Sequence, residues 1–439
     1  MLNRLDLRGA SGDLRSRLPR PSSGGEQPVA AVQEILAAVR DGGDAAVKAF
    51  TERFDGVALG QLRVPPREIQ AAFAAIAPAV REALAVAAGG IEDFHRTQLA
   101  EDHTYERDGI VVQGLHRPVD RAGCYVPGGR AIYPSTVLMT AVAARVAGVH
   151  EVVLCVPPDR SGHVPAVTLA AAALAGVDEV YAIGGAQAIG AMAYGTESIR
   201  PVDVIVGPGN VYVALAKREV AGLVGVPSSF AGPSEVVVIA DETAPPASAA
   251  VDVILQAEHG PGGLAWLITW SPSAADAIVA EIEQQVAASP RRADIESTFA
   301  EGGYVVLVDG PEQALEVSNL IAPEHLELMT ADPQALVPLV RHAGAVFCGP
   351  WSPASVGDYL AGPNHVLPTD GTARFASALT VRDFQKDLHV ITLDADALAR
   401  VAPHVASLAT AEGLTAHADS VMRRFPDGLP VPAAAPSQT

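Results

Sequence analysis

The sequence predicts an α/β fold with two parallel-sheet lobes. Short apolar runs alternate with helical segments between residues 135 and 240, and the same alternation resumes from residue 247 to 347. The chain has 439 residues, of which 49% are hydrophobic and 18% charged, so it can bury more than one core. Each lobe is expected to resemble an incomplete Rossmann fold, with small helical pieces at the two chain ends.

The first alternating region contains four predicted strands and four predicted helices. The strands are predicted at 151–156, 179–183, 202–206 and 235–240. The helices are predicted at 136–147, 164–175, 186–194 and 210–221. Strands separated by helices favour parallel pairing through right-handed crossovers, so one parallel sheet is expected here.

The second alternating region has the same character. Helices are predicted at 247–258, 274–288, 312–320 and 333–341, and strands at 264–269, 304–308, 326–329 and 345–347. Two such regions imply two lobes with a cleft between them. Functional sites in such sheets are expected at the carboxyl ends of the strands.

The two chain ends depart from this alternation. Residues 1–24 are basic and polar and predict an arm or a small separate piece, while residues 28–98 have a helical pattern. Helices 394–410 and 413–424 have no strands of their own, so this tail must dock on another surface. Residues 426–439 are rich in proline and alanine and are expected to be disordered.

Composition excludes several function classes. A formal net charge of −20 repels phosphate backbones, so a nucleic-acid partner is not expected. Three cysteines give no disulfide framework and favour a reducing compartment. No stretch approaches the roughly 20 apolar residues of a membrane helix, and the charged N-terminus lacks a secretory apolar run. These features predict a cytoplasmic enzyme without a membrane partner.

Four short stretches contain side chains suited to metal binding and acid–base chemistry. Gln256 and His259 lie three residues apart on a predicted helix, although His259 could simply cap that helix. Glu324 and His325 open a predicted strand, where a solvated charge pair is the simpler interpretation. Asp358 falls in a predicted loop as a ligand or a turn residue. Glu412 and His417 flank the start of the last helix, where Glu412 could merely complement the helix dipole.

Three glycine turns follow predicted strands. They are 125–129 (YVPGG), 184–187 (GGAQ) and 207–210 (GPGN). The last resembles a dinucleotide-binding loop, but Tyr212 stands where the third glycine of that motif belongs. Three such turns facing one cleft predict an elongated ligand.

Taken together, these segments resemble the histidinol dehydrogenase family. The matching segments are 123–129, 184–189, 207–210, 231–235, 256–259, 322–327, 362–369 and 412–417, all in order within residues 25–424. The resemblance implies oxidation of L-histidinol to L-histidine with two NAD, the last step of histidine biosynthesis. It also implies a homodimer in which the C-terminal tail of one subunit packs on the other.

The resemblance also implies roles for single residues. It implies one Zn²⁺ per subunit held by Gln256, His259, Asp358 and His417, and catalytic bases at Glu324 and His325. It implies NAD contacts at Tyr125, Gln187 and Asn210. It implies substrate contacts at Ser234, Glu412, His325 and the four zinc ligands. Glu412 and His417 would then complete the partner subunit's site.

These implications divide the chain into functional segments. Residues 25–124 and 234–378 are expected to form a first Rossmann-like lobe with the catalytic and metal residues, and residues 125–233 a second lobe that binds NAD. Residues 379–425 form the exchanged helical tail. The sequence assigns no role to the N-terminal arm, His365 or Lys386.

The chemistry suggests a division of labour between the two bases. His325 is expected to take the alcohol proton in the first oxidation and to assist the second, while Glu324 activates water for addition to the aldehyde. Zinc mainly positions substrate, although Mn²⁺ or Co²⁺ would suit the same ligands. Three alternatives remain open at this point: a covalent thiohemiacetal on Cys124, a related enzyme acting on another amino alcohol or diol, and a catalytically inactive binding module.

Overall fold

The computed structural model describes residues 2–10, 12–19, 28–128, 131–228, 232, 234–258 and 262–429. Its strands are β1 (Asn3–Asp6), β2 (His103–Arg107), β3 (Ile110–Pro118), β4 (Arg121–Tyr125), β5 (Glu151–Cys155), β6 (Glu179–Tyr181), β7 (Val204–Val206), β8 (Glu235–Ala240), β9 (Leu264–Thr269), β10 (Gly303–Leu307), β11 (His325–Met329), β12 (Ala345–Cys348) and β13 (Gln385–Thr392).

The helices connect and cover these strands. They are α1 (Val29–Asp55), α2 (Pro66–Ala75), α3 (Pro78–Arg96), α4 (Pro134–Val146), α5 (Ala166–Leu174), α6 (Gly185–Tyr194), α7 (Val211–Val220), α8 (Pro246–Ala257), α9 (Pro272–Ala288), α10 (Arg292–Gly302), α11 (Pro311–Ile321), α12 (Pro333–Leu336), α13 (Ala354–Tyr359), α14 (Ala395–Ala411) and α15 (Thr415–Met422). The α/β prediction is confirmed, and the predicted elements lie within two residues of these bounds, except that helix 333–341 ends at Leu336.

The larger sheet has six parallel strands in the order β1-β10-β9-β8-β11-β12. On one face, Val236 and Val238 pack against α8 and α9. On the other, Leu326 and Leu328 join a second core. Alternating side chains of β11 therefore enter two different layers, which places His325, Glu327 and Met329 on the α8 face.

The expectation that residues 1–24 form a separate piece is wrong for the residues that the structure describes. β1 pairs with β10 as the edge strand of the six-stranded sheet. Leu7, Leu14 and Leu18 are buried in the core beneath that sheet. The arm is therefore part of the large-sheet core, and residues 20–24 lie outside the described range.

The smaller sheet has four parallel strands in the order β6-β5-β4-β7. Helices α1, α6 and α7 pack on one face, and α2 to α5 on the other. Residues 29–96 thus cover the four-stranded sheet, although the expected boundaries grouped them with the other lobe.

Within the described ranges no single helix is long and apolar enough to cross a membrane. Helices α2 and α3 reach that length and apolar character only together, and they are bent by 111° relative to each other.

A second compact unit is formed by residues 99–118 together with residues 385–439, described here to residue 429. It holds the antiparallel sheet β13-β3-β2 and the packed helices α14 and α15. The prediction that the C-terminal region lacks strands is wrong. β13 is exposed along nearly its whole length, so it does not show the alternation of a half-buried strand. The predicted disorder of 426–439 falls largely outside the described residues.

Candidate functional site

The predicted acid–base residues lie at the amino end of β11, beside the amino end of the paired strand β8. Helix α11 ends at Ile321, and Ala322 then adopts a left-handed backbone with φ of 56°, which turns the chain through Pro323 into β11. Glu324 immediately precedes that strand and His325 begins it. The expectation that sites lie at the carboxyl ends of strands is therefore wrong for this cluster.

His325 is the centre of this cluster and is 3% exposed. Its Nδ1 lies 3.2 Å from the carbonyl oxygen of Glu235, which can only accept and so favours a proton on Nδ1. The Gln256 amide nitrogen, which can only donate, lies 3.1 Å from the same Nδ1 and favours the opposite tautomer. On the other side, Nε2 lies 3.6 Å from Asp358 Oδ1 and has no hydrogen-bond partner within the described residues. In a neutral ring with the proton on Nδ1, this nitrogen can accept a proton from a ligand.

Glu324 is buried against the same ring. Its Oε2 accepts a hydrogen bond from the Glu235 backbone N–H at 3.1 Å, lies 3.5 Å from Gln256 Nε2 and 3.7 Å from His325 Nδ1. Burial raises the pKa of Glu324 because no water solvates its charge. Burial lowers the pKa of His325, but the negative charges of Glu324 and Asp358 outweigh it and raise that pKa to about 9.

The two described zinc-ligand candidates of the catalytic segment meet at this imidazole. Gln256 lies in the last turn of α8, is 2% exposed, and its Oε1 has no partner within the described residues. Asp358 lies on α13 rather than in the predicted loop, and α13 packs so closely on Phe347 that a Cβ at Gly357 would overlap the ring. His259 lies outside the described residues. Among those that are described, no three His, Cys, Asp or Glu side chains are arranged to hold a metal ion.

Of the remaining predicted contacts, Ser234 directly precedes Glu235 of the cluster, and Glu412 and His417 belong to the second unit. Ser234 is half-buried immediately before β8, and its carbonyl accepts a hydrogen bond from Leu264. In the second unit, Glu412 ends α14 as its C-cap, His417 lies in the first turn of α15, and both are exposed. Lys386 pairs in register with Arg117 between β13 and β3.

His365, which sequence reasoning left unassigned, supports the Asp358 backbone. Its Nδ1 lies 2.8 Å from the Asp358 carbonyl oxygen and donates to it, and its Nε2 lies 3.1 Å from Thr136 Oγ1 on α4. Burial lowers the pKa of His365, which favours the neutral ring that this arrangement needs. A histidine seven residues after the candidate ligand Asp358 was the only sequence signal for this contact.

A separate cavity lies at the carboxyl end of the four-stranded sheet. It has a volume of about 1030 Å³, and its lining includes Tyr125, Gln187 and Asn210. The Tyr125 hydroxyl accepts the Gly185 backbone N–H at 3.1 Å. Gln187 is 1% exposed, and its Oε1 has no partner within the described residues. The three predicted nucleotide contacts therefore share one cavity, in which two of them keep polar capacity for a ligand.

The loop before α7 gives that cavity its shape. Asn210 caps the helix by accepting hydrogen bonds from the backbone N–H groups of Tyr212 and Val213 at 3.0 and 3.2 Å. Gly207 has φ of 107°, and a Cβ there would overlap the Tyr125 carbonyl oxygen. The buried Lys217 ammonium donates to the Gly207 carbonyl at 2.8 Å and to the Ser228 carbonyl at 2.6 Å.

Cys124 does not fit a covalent role. It is fully buried within β4, and burial raises the pKa of its thiol to about 12. The thiolate is the nucleophilic form, and this site disfavours it. The thiohemiacetal alternative therefore has no structural support.

Known proteins resemble this chain over most of its length. A family model described as histidinol dehydrogenase matches residues 18–425. A histidinol dehydrogenase of Parasynechococcus marenigrum is 51% identical over 402 residues, 90% of each chain, and one of Geobacillus kaustophilus is 49% identical over 407 residues, 92% of this chain and 96% of that one. A crystal structure of histidinol dehydrogenase from Elizabethkingia anophelis superposes with a TM-score of 0.92 at 34% identity, covering 97% of this chain and 98% of that one.

Proposed function

This chain belongs to the histidinol dehydrogenase family, an oxidoreductase family of histidine biosynthesis, and from that premise we propose that it oxidises L-histidinol to L-histidine in two NAD-dependent steps at a zinc centre. The observation that carries this proposal is the convergence of Gln256, Glu324 and Asp358 on the buried His325. The alcohol loses two hydrides to become a carboxylate, so two molecules of NAD are needed for each histidinol.

The donor set of the cluster fits a zinc ion. Gln256 Oε1 is a buried acceptor without a partner in the described chain, and such an atom is costly unless a ligand satisfies it. Asp358 supplies a carboxylate near the same imidazole. We propose that these two residues, His259 and the partner subunit's His417 hold the ion, a mixed oxygen and nitrogen set that Zn²⁺ accepts.

The cavity of the four-stranded sheet suits the nucleotide. Tyr125, Gln187 and Asn210 line it at the carboxyl ends of parallel strands, where such sheets bind dinucleotides. Its volume of about 1030 Å³ is ample for an elongated ligand. We propose these three side chains as NAD contacts.

The protein's own residues perform the proton transfers. Bound zinc would hold the substrate nitrogens, and bound NAD would accept the hydride in each oxidation. In the neutral ring, the form that predominates above its pKa of about 9, Nδ1 donates to the Glu235 carbonyl and His325 Nε2 takes the alcohol proton in the first oxidation. Glu324, buried with a raised pKa, then removes a proton from the water that adds to the aldehyde. His325 takes the hydrate proton in the second oxidation.

We further propose that the active form is a homodimer with exchanged tails. Trp351 and Tyr359, close to Asp358 in sequence, are 89% and 58% exposed. Leu408 on α14 and Leu414 before α15 are also exposed. Exposed apolar surface near a site typically marks an interface, and such an interface would bring the partner's Glu412 and the partner's His417 to the cluster. The chain has only three cysteines, as is typical of proteins in a reducing compartment, and this supports a cytoplasmic location.

The decisive experiment counts NADH. The purified enzyme, loaded with one Zn²⁺ per subunit, is given limiting L-histidinol and excess NAD, and two NADH per histidinol are expected. One NADH would contradict the four-electron reaction, and no NADH with histidinol but turnover of another amino alcohol would identify a related enzyme.

The roles of the two bases are tested separately. Glu324→Gln is expected to impair oxidation of histidinal more than the first hydride transfer from histidinol, measured as single-turnover NADH formation. Loss of only the alcohol step in Glu324→Gln would show that the two roles are reversed.

A further inference from the structure

A second layer of polar contacts lies one step below the catalytic cluster. In the upper layer, His325 of β11 contacts Gln256 of α8 and approaches Asp358 of α13. In the lower layer, the Glu327 carboxyl group lies close enough to that of Asp252 on α8 for the two to share a proton, and its Oε1 accepts the Ala354 backbone N–H of α13 at 2.9 Å. Glu327 Oε2 has no other partner within the described residues. The same three elements are therefore joined twice.

The spacing of the two layers is consistent along all three elements. Asp252 and Ala354 precede Gln256 and Asp358 by four residues, a helical advance of about 6 Å. Glu327 follows His325 by two residues, a strand advance of about 6.6 Å that keeps both side chains on the same face. Because these advances match, fixing the lower layer also fixes where the upper-layer side chains meet.

The lower layer is buried and apolar around its carboxyl groups. Asp252 is 4% exposed and Glu327 1%, and Val238 and Met329 belong to the same core layer. Two carboxylates cannot share a hydrogen bond unless one holds a proton. Burial and the neighbouring Asp252 charge raise the pKa of Glu327 to about 9, which keeps that proton in place near neutral pH. Apolar residues of similar volume would fill this space at lower cost, so stability alone does not explain the pair.

We propose that Asp252 and Glu327 form a proton-sharing clamp, here called the carboxyl clamp, that positions Gln256 and Asp358 around His325 for zinc binding. Neither residue touches the substrate, and both act through the elements that they join. The inference rests on the proposed zinc-dependent function. Groups that orient metal ligands typically change metal affinity or activity by about 10- to 100-fold when removed.

The test compares variants that break the clamp with variants that keep it. Asp252→Ala removes the bond to α8, and Glu327→Leu removes both bonds. Glu327→Gln preserves them, because its amide donates to Asp252 and accepts from Ala354. Zinc affinity of the metal-free dimer, measured by calorimetry, is expected to fall at least about 10-fold in the first two variants and to stay within about 3-fold in Glu327→Gln.

Asp241→Asn is the matched control. Asp241 is a buried carboxylate just after β8, at the carboxyl-terminal ends of the same sheet's strands. There it accepts hydrogen bonds from the backbone N–H groups of Thr243 and Ala331 at 2.8 Å each. This variant is expected to lose stability but to keep zinc affinity. The KM for NAD is expected to stay unchanged in every clamp variant, because the nucleotide cavity lies on the other sheet.

The outcomes separate the clamp from the proposed function. If the unmodified dimer binds no zinc, the proposed function fails. If it binds zinc and both Asp252→Ala and Glu327→Leu bind zinc equally well, the clamp alone is wrong. Loss of affinity in Glu327→Gln equal to that in Glu327→Leu would also contradict the clamp, since the amide keeps both contacts. If Glu327→Leu does not fold, Asp252→Ala decides, because it leaves the Glu327 contact with Ala354 intact.

Discussion

In the two parallel sheets, the proposed functional residues lie at opposite ends of the strands. In the four-stranded sheet, Tyr125, Gln187 and Asn210 lie at or after the carboxyl ends of strands, around one cavity. In the six-stranded sheet, Glu324 and His325 lie where β11 begins. The rule that ligands bind at the carboxyl ends of parallel strands therefore fits the proposed nucleotide cavity but not the proposed catalytic cluster.

The direction of the helices explains the exception. Helix α8 follows β8 and runs back across the sheet, so its last turn, with Gln256, returns to the amino edge. Residues before β8 and β11 reach the same edge by strand pairing, since His325 pairs with Val236. A site built from the last turn of a helix and the first residues of strands therefore lies at the amino-terminal ends of the strands.

The two regions also differ in the kind of titratable group that they bury, a carboxyl group in one and an amine in the other. Burial raises the pKa of Glu235 to about 8 beside the catalytic cluster, with the charges of Glu324 and Asp370 adding to the effect. Beside the nucleotide loop, burial lowers the pKa of Lys217 to about 8. In both cases the low-dielectric interior disfavours the charged form, so the two regions respond to pH in opposite directions.

The largest expected effect is a loss of turnover without a loss of NAD binding. His325→Asn is expected to lower kcat by about 10³-fold, because it removes the proton acceptor, while the KM for NAD stays within about 2-fold. Steady-state kinetics with both substrates measures this. His150→Asn, at an exposed position before β5, is the control and should keep wild-type kcat. A large rise in the KM for NAD in His325→Asn would show that the two regions are not separate.

The next largest expected effect is a loss of stability together with weaker NAD binding. Gly207→Ala is expected to lower the free energy of unfolding by about 3 kcal/mol and to raise the KM for NAD, because its Cβ overlaps the Tyr125 carbonyl. Gly222→Ala is a matched control, since Gly222 also has positive φ but open space around it, and should cost only about 1 kcal/mol. Denaturant unfolding measures both. Equal losses in the two variants would remove the steric explanation.

A pH series sharpens the comparison of buried charges. The pKa of Lys217 is about 8 when folded and 10.5 as the ordinary lysine value, so the unfolded chain binds more protons between these limits. Stability attributable to Lys217 should therefore rise by up to about 3 kcal/mol from pH 8 to pH 10.5. The difference in unfolding free energy between wild type and Lys217→Met isolates this rise. A difference that stays constant across that range would show that Lys217 has an ordinary pKa.

The smallest effect tests a single nucleotide contact. Gln187→Ala is expected to raise the KM for NAD about 10-fold with kcat unchanged, as removal of one hydrogen bond made equally in ground and transition states predicts. The exposed Gln33→Ala serves as the control. A fall in kcat with unchanged KM would instead place Gln187 in the catalytic step.

Much of the fold followed from local patterns. Helices α4 to α9 and strands β8 and β9 were predicted within two residues, because each depends on side-chain periodicity within one segment. Strands β2, β3 and β13 were not predicted. β2 and β13 are largely exposed, and β13 pairs with β3 from a distant part of the chain, although β2 and β3 are neighbours joined by a tight turn. The cluster of Gln256, Glu324, His325 and Asp358 was anticipated by family resemblance rather than by spacing, and its assigned roles stay predictions.

The sequence alone determined the α/β alternation, the glycine turns and the kinds of side chain available for chemistry. Those properties depend on interactions between neighbours along the chain, which a linear pattern records. Only the tertiary structure decided that the catalytic cluster lies at the amino edge, that His365 supports Asp358, and that Glu327 meets Asp252. These contacts join residues from 7 to 75 positions apart (365 − 358 and 327 − 252), and their meeting depends on strand order and helix direction rather than on any local signal.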